Sequence, residues 1–194
     1  MYYNDTGSIN VAIGSSAMYS NRTGNRNSAI GASALYQNLT GSDNVAIGDS
    51  SMNLNTTGLN NTAIGSSSLY SNSSGGLNSA LGFESLRNNS IGTENVASGY
   101  RALYANTTGN YNTGIGSQAL RDNTSGINNA ALGYSALAAN LTGVQNTAIG
   151  VEALKVSTAN NNTALGYRTA YQQTGGTRNV AIGSLALSGL TNNN

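Results

Sequence analysis

A five-residue motif, Asn-x-Ala-Ile/Leu-Gly, returns at a nearly constant interval along this 194-residue chain, and no other property limits the possible folds as strongly. Its asparagines are Asn10, Asn27, Asn44, Asn61, Asn78, Asn95, Asn112, Asn129, Asn146, Asn162 and Asn179. Its glycines are Gly14, Gly31, Gly48, Gly65, Gly82, Gly99, Gly116, Gly133, Gly150, Gly166 and Gly183. The spacing is 17 residues nine times and 16 once, the short interval falling after Asn146, where Ala159-Asn160 replaces a Thr-Gly turn. A residue lost within a turn leaves the next apolar set in phase. Seventeen residues are too few for a helix-turn-helix repeat and suit one coil of a solenoid.

Counting each unit from its Asn, positions 2 to 4 (Val/Thr-Ala-Ile) carry β-branched residues and read as a short strand. Alternation places positions 2 and 4 on one face and the Ala of position 3 on the other. An Ala kept in ten copies, with Gly114 the exception, predicts a close-packed outward contact between protomers. The large aliphatics at positions 4 and 9 are then the core, about two per coil. That supply is small against backbone entropy of about 1–2 kcal/mol per ordered residue, so stacking and oligomerisation, as in a homotrimer, are expected to add buried area. Stacked Asn side chains at position 1 predict an amide ladder, and the glycine at position 5 supplies the positive φ of a tight corner. Positions 6 to 12, such as 117–123 and 151–155, favour a short helical turn by propensity, or else a second strand.

The expected fold is therefore all-β: a parallel, β-roll-like solenoid of about eleven coils, forming a single domain over residues 1–194. The chain starts mid-unit, with Met1 at the Leu position and Tyr2 at the Tyr position, and runs out mid-unit in Leu190–Asn194. This predicts either part of a longer fibre or a subunit that stacks end to end.

Composition narrows function. There is no His and no Cys, hence no imidazole base, no thiolate nucleophile and no zinc site of the usual ligands. The reading is of a non-enzyme without cofactor or metal. A net charge of +1 argues against a nucleic-acid groove, and the chain has no apolar run long enough to insert in a membrane. All fifteen charges fall at positions 6, 7, 10, 11, 13 or 17, none at 1–5, 8 or 9.

Units such as Asn61-Thr62-Ala63-Ile64-Gly65 and Asn146-Thr147-Ala148-Ile149-Gly150 resemble the Asn-Ser-Val-Ala-Ile-Gly repeats of trimeric autotransporter adhesin heads. With the following Ala-Leu-Tyr and Asn-Thr-Thr-Gly segments, they also resemble repeats of phage tail fibres. The resemblance implies a left-handed, trimeric β-roll on a cell or virion surface. It makes the chain a non-enzymatic extracellular fibre or adhesin segment, with itself and a cell-surface glycan or protein receptor as partners. The added Ala-Leu-Tyr segment makes this unit longer than that of the adhesin heads. The alternative is a self-assembling subunit of an extracellular filament or matrix, suggested by the absence of an atypical capping repeat at either end.

Candidate contacts are the position-6 rings Phe83, Tyr100, Tyr134 and Tyr167. They either stack on sugar faces or a receptor, or cover the roll's edge and the trimer seam. Asn21, Asn38, Asn55, Asn72, Asn106, Asn123 and Asn140 lie in Asn-x-Ser/Thr sequons that the turn chemistry itself generates. Glu84, Glu94 and Glu152 read as solvated charges on separate coils, and Ser98 interrupts the position-4 aliphatics.

Overall fold

A computed structural model of the chain describes residues 3–189. The mid-unit ends at Met1-Tyr2 and Leu190–Asn194 lie outside these residues. Each coil contributes one three-residue strand: β1 (Val11–Ile13), β2 (Ser28–Ile30), β3 (Val45–Ile47), β4 (Thr62–Ile64), β5 (Ser79–Leu81), β6 (Val96–Ser98), β7 (Thr113–Ile115), β8 (Ala130–Leu132), β9 (Thr147–Ile149), β10 (Thr163–Leu165) and β11 (Val180–Ile182). They form one parallel sheet in chain order. The register never slips: Ala12 pairs with Ala29, and Ala148 pairs with Ala164 across the shortened coil. The missing residue is absorbed by the turn, and the chain is a parallel β-solenoid of about eleven coils.

The strand faces are the reverse of the expected arrangement. Position-3 alanines are at most 4 % exposed in nine strands, whereas the Ile or Leu of position 4 is 37–67 % exposed in nine. The reason is the side chain that arrives from the opposite wall. Position 9 (Met18, Leu35, Met52, Leu69, Leu86, Leu103, Leu120, Leu137 and Leu154) is fully buried and fills the thin interior. A Cβ placed on Gly114, the one position-3 glycine, would stand 3.2 Å from Ala119 O, 3.4 Å from Leu103 Cγ and 3.5 Å from its Cδ1. A methyl therefore completes the packing, and a larger group would collide. Alanine recurs here because the core has no more room, rather than because protomers meet.

Positions 6 to 12 form neither of the expected elements: the described residues contain no helix and no second strand. Positions 7 and 9 take positive φ in each coil, as at Ser50 (53°) and Met52 (50°), and a helix needs about −60°. The alternation turns the N–H groups of positions 7 and 9 toward opposite neighbours, while that of position 8 stays within its own coil. Ser50 donates back to Ala32 O at 2.8 Å, and Met52 donates forward to Ser68 O at 3.0 Å. A left-handed non-glycine residue costs about 1–2 kcal/mol, offset here by inter-coil hydrogen bonds and burial of the position-9 side chain.

Two columns of asparagine close the corners. In the first, at position 1, Asn44 Nδ2 donates to Asn27 Oδ1 (3.2 Å) and to Gly58 O (2.8 Å), while Asn44 N–H also donates to Asn27 Oδ1 (3.0 Å). This is the expected ladder. The second column, at position 12, contains the seven sequon asparagines named above: Asn55 Nδ2 donates to Asn38 Oδ1 at 2.7 Å and to the same Gly58 carbonyl at 3.2 Å. These asparagines are fully buried, so no folded chain can carry a glycan on them. The column stops at Asn140, because Ser157 and Gln173 replace the next two asparagines; Asn140 Oδ1 and both amide atoms of Gln173 are buried without a partner. The two corner glycines have different causes. Gly65 has φ +135° and a Cβ there would lie 2.5 Å from Gly82 O, whereas a Cβ on Gly58 would lie 2.5 Å from both Asn72 Nδ2 and Gly75 O.

Candidate functional site

Two surfaces stand out once the core and the ladders are accounted for. One is the outer sheet face, made by positions 2 and 4. Its two rows, Val/Thr/Ser/Ala and Ile/Leu, carry no charge along the whole sheet. Ser98 on β6 breaks the aliphatic row and leaves a depression of about 260 Å³ lined by Ile64, Leu81, Val96 and Ser98 among others. At about 4.8 Å per coil the face is about 50 Å long and, with three residues per strand, about 10 Å wide.

The second surface is the edge that follows the position-5 glycine corner, where positions 6, 7 and 10 stack from coil to coil. Phe83, Tyr100, Tyr134 and Tyr167 all lie on it, 43–48 % exposed. Phe83 and Tyr100 are stacked, with ring centroids 5.8 Å apart and planes 6° from parallel. The position-10 rings form a second column: Tyr19 stacks on Tyr36 at 5.0 Å, and Arg87 lies over Tyr70 (5.2 Å) and Tyr104 (6.0 Å).

The charges between these columns are not simply solvated. Glu84 Oε2 accepts from Arg101 Nε at 2.6 Å, and Glu152 Oε2 accepts from Arg168 Nε at 2.5 Å. Arg101 lies over Tyr100 (5.1 Å) and Tyr104 (5.2 Å); Arg168 lies over Tyr167 (5.4 Å) and Tyr171 (5.3 Å). Lys155 Nζ also donates to Glu152, at 2.7 Å. Hydrogen bonds from Lys155 and then Arg168 hold the Glu152 carboxyl below its ordinary range, and Glu84 raises Arg101 above its own. By residue type alone Glu84 and Glu152 read as solvated charges, and nothing marked Arg101 or Arg168. The signal was positional: both Glu-Arg pairs occupy position 7 of successive coils, 17 and 16 residues apart. Glu94 has position 17 and takes no part in this edge.

The described residues contain no cluster of three or more metal-ligating side chains, and no helix long and apolar enough to cross a membrane. What the edge offers is ring faces and edges, fixed guanidinium groups and hydroxyls. Compared with known proteins, the chain matches no family model, no curated protein and no solved structure.

Proposed function

We propose that the chain is a non-enzymatic segment of an extracellular fibre or adhesin that associates as a homotrimer and holds a binding surface away from a cell or virion. The observation that carries this reading is the outer sheet face. An uncharged strip of order 500 Å², with an aliphatic row along position 4, is at the upper end of what monomers leave in water. Three such strips meeting around one axis would remove of order 1,500 Å² in total, about 500 Å² for each pair of chains. The position-4 aliphatics would then supply between chains the burial that the alanine-lined interior cannot supply within one. The resemblance to adhesin heads and tail fibres supports the extracellular setting.

Light scattering on the purified chain tests the reading: three times the chain mass and a short rod by electron microscopy are expected, and Ile115→Asp should dissociate it. A compact monomer at micromolar concentration would refute the trimer. The unbroken parallel register along the sheet favours a second reading, a subunit that continues the same stacking from chain to chain into a filament. Long unbranched filaments in the same images would support that reading instead.

A further inference from the structure

We propose that the edge bearing Tyr100, Arg101, Tyr134, Tyr167 and Arg168 binds an acidic polysaccharide, with Arg101 and Arg168 as two equivalent anion contacts. The first ground is duplication. Glu at position 7 and a base at position 10, followed in the next coil by Tyr-Arg at positions 6 and 7 and Tyr at position 10, occurs at Glu84, Arg87, Tyr100, Arg101 and Tyr104. It occurs again at Glu152, Lys155, Tyr167, Arg168 and Tyr171. Elsewhere position 7 is most often serine.

The second ground is how each arginine is held. Arg101 and Arg168 give their glutamate only Nε, at 2.6 and 2.5 Å. Two rings flank each guanidinium at 5.1 to 5.4 Å. Their Nη groups make no hydrogen bond to any described residue, and the side chains are 40 % and 45 % exposed. Each is thus a fork oriented in advance, suited to the two oxygens of a carboxylate or sulfate. Two bases against one acid leave each patch positive, so an incoming anion is not repelled.

The third ground is spacing. The two patches lie four coils apart, about 19 Å, with Tyr134 midway between them. A small anion reaches one patch, whereas a polymer carrying repeated acidic groups reaches both and gains from the linkage. The exposed Tyr134 ring between the two forks favours sugar over an acidic peptide, and the chain's net charge of +1 disfavours nucleic acid. The proposal takes its biological sense from the adhesive reading above, but its geometry lies within one chain and does not depend on oligomeric state.

Titrating the full chain with polygalacturonate, dextran sulfate and neutral dextran tests it. Binding of either acidic polymer without binding of dextran is expected, and the tighter of the two identifies carboxylate or sulfate as the recognised group. Arg101→Gln and Arg168→Gln should each weaken binding about tenfold with the far-ultraviolet signature of the fold retained, and the double variant should weaken it further. Arg101→Lys, which keeps the charge and loses the fork, should recover only part. Tyr134→Ser, which touches neither arginine, should weaken binding several-fold. Dextran binding as well as the acidic polymers, a double variant that binds normally, or polyglutamate or duplex DNA binding equally tightly would each overturn the proposal. A trimeric rod that ignores all the acidic polymers would sink the site and leave the fibre reading standing. A monomer whose binding depends on both arginines would do the opposite.

Discussion

At the scale of single residues, the corners depend on an amide having two donors and one oxygen able to accept twice. In the position-12 column, Asn72 Nδ2 donates to Asn55 Oδ1 (2.8 Å) and Gly75 O (2.9 Å), and its own Oδ1 accepts from Asn89 (2.8 Å). Replacing it with alanine strands a buried donor and acceptor on either side, each worth about 1–3 kcal/mol. Asn72→Ala is therefore expected to lower stability by about 3 kcal/mol or more in urea unfolding, while Thr57→Ala on the exposed turn stays within about 0.5 kcal/mol. Charge offers a second test. The folded Glu152 carboxyl lies below its ordinary value of 4.5 because of Lys155 and Arg168, so its contribution is fully present above that value and is lost as pH falls through the lowered one. Glu152→Gln should be less stable than the parent at neutral pH, with the gap closing in acid denaturation experiments well below pH 4.5.

The element scale concerns the three-residue strand. Its alternation was readable, but the direction of its two faces was not, because period 2 defines faces without saying which one is inside. The Leu of position 9, reaching across from a segment with left-handed residues, decides this by filling the space opposite Ala. Ala63 and Ile64 are neighbours on β4 with opposite expected behaviour. Ala63→Val overpacks the interior and should cost about 1–3 kcal/mol in the unfolding of the chain itself. Ile64→Thr should alter that unfolding by about 0.5 kcal/mol or less, and weaken self-association measured by sedimentation. If the alanine face were the outer one, the two results would be exchanged.

At the scale of the whole molecule, each coil touches only the coils before and after it, so stability accumulates coil by coil. Removing residues 61–77, one complete unit, keeps every column in register. The shortened chain should fold with the same far-ultraviolet signature and a denaturant m value lower by about a tenth. Cutting half that length would put Asn against non-Asn and leave the columns unsatisfied. The same stacking explains the paired Glu-Arg patches. Residues one unit apart in sequence become neighbours a few ångströms apart, whereas residues adjacent in sequence point along different sides of the coil.

The sequence alone determined the repeat, its phase through the shortened unit, the positions of the strands, the first asparagine ladder and the glycine corners, because each depends on a residue type recurring at one place in the coil. It also marked Phe83, Tyr100, Tyr134 and Tyr167 as one column. Only the tertiary structure decided which strand face is buried, that Ala-Leu segments run through left-handed turns instead of a helix, that the seven position-12 sequon asparagines from Asn21 to Asn140 are interior, and that Glu84 and Glu152 fix the arginines of the following coil. The reason is common to all four. Each depends on what arrives from another wall or another coil, and propensity and period describe a segment without what packs against it.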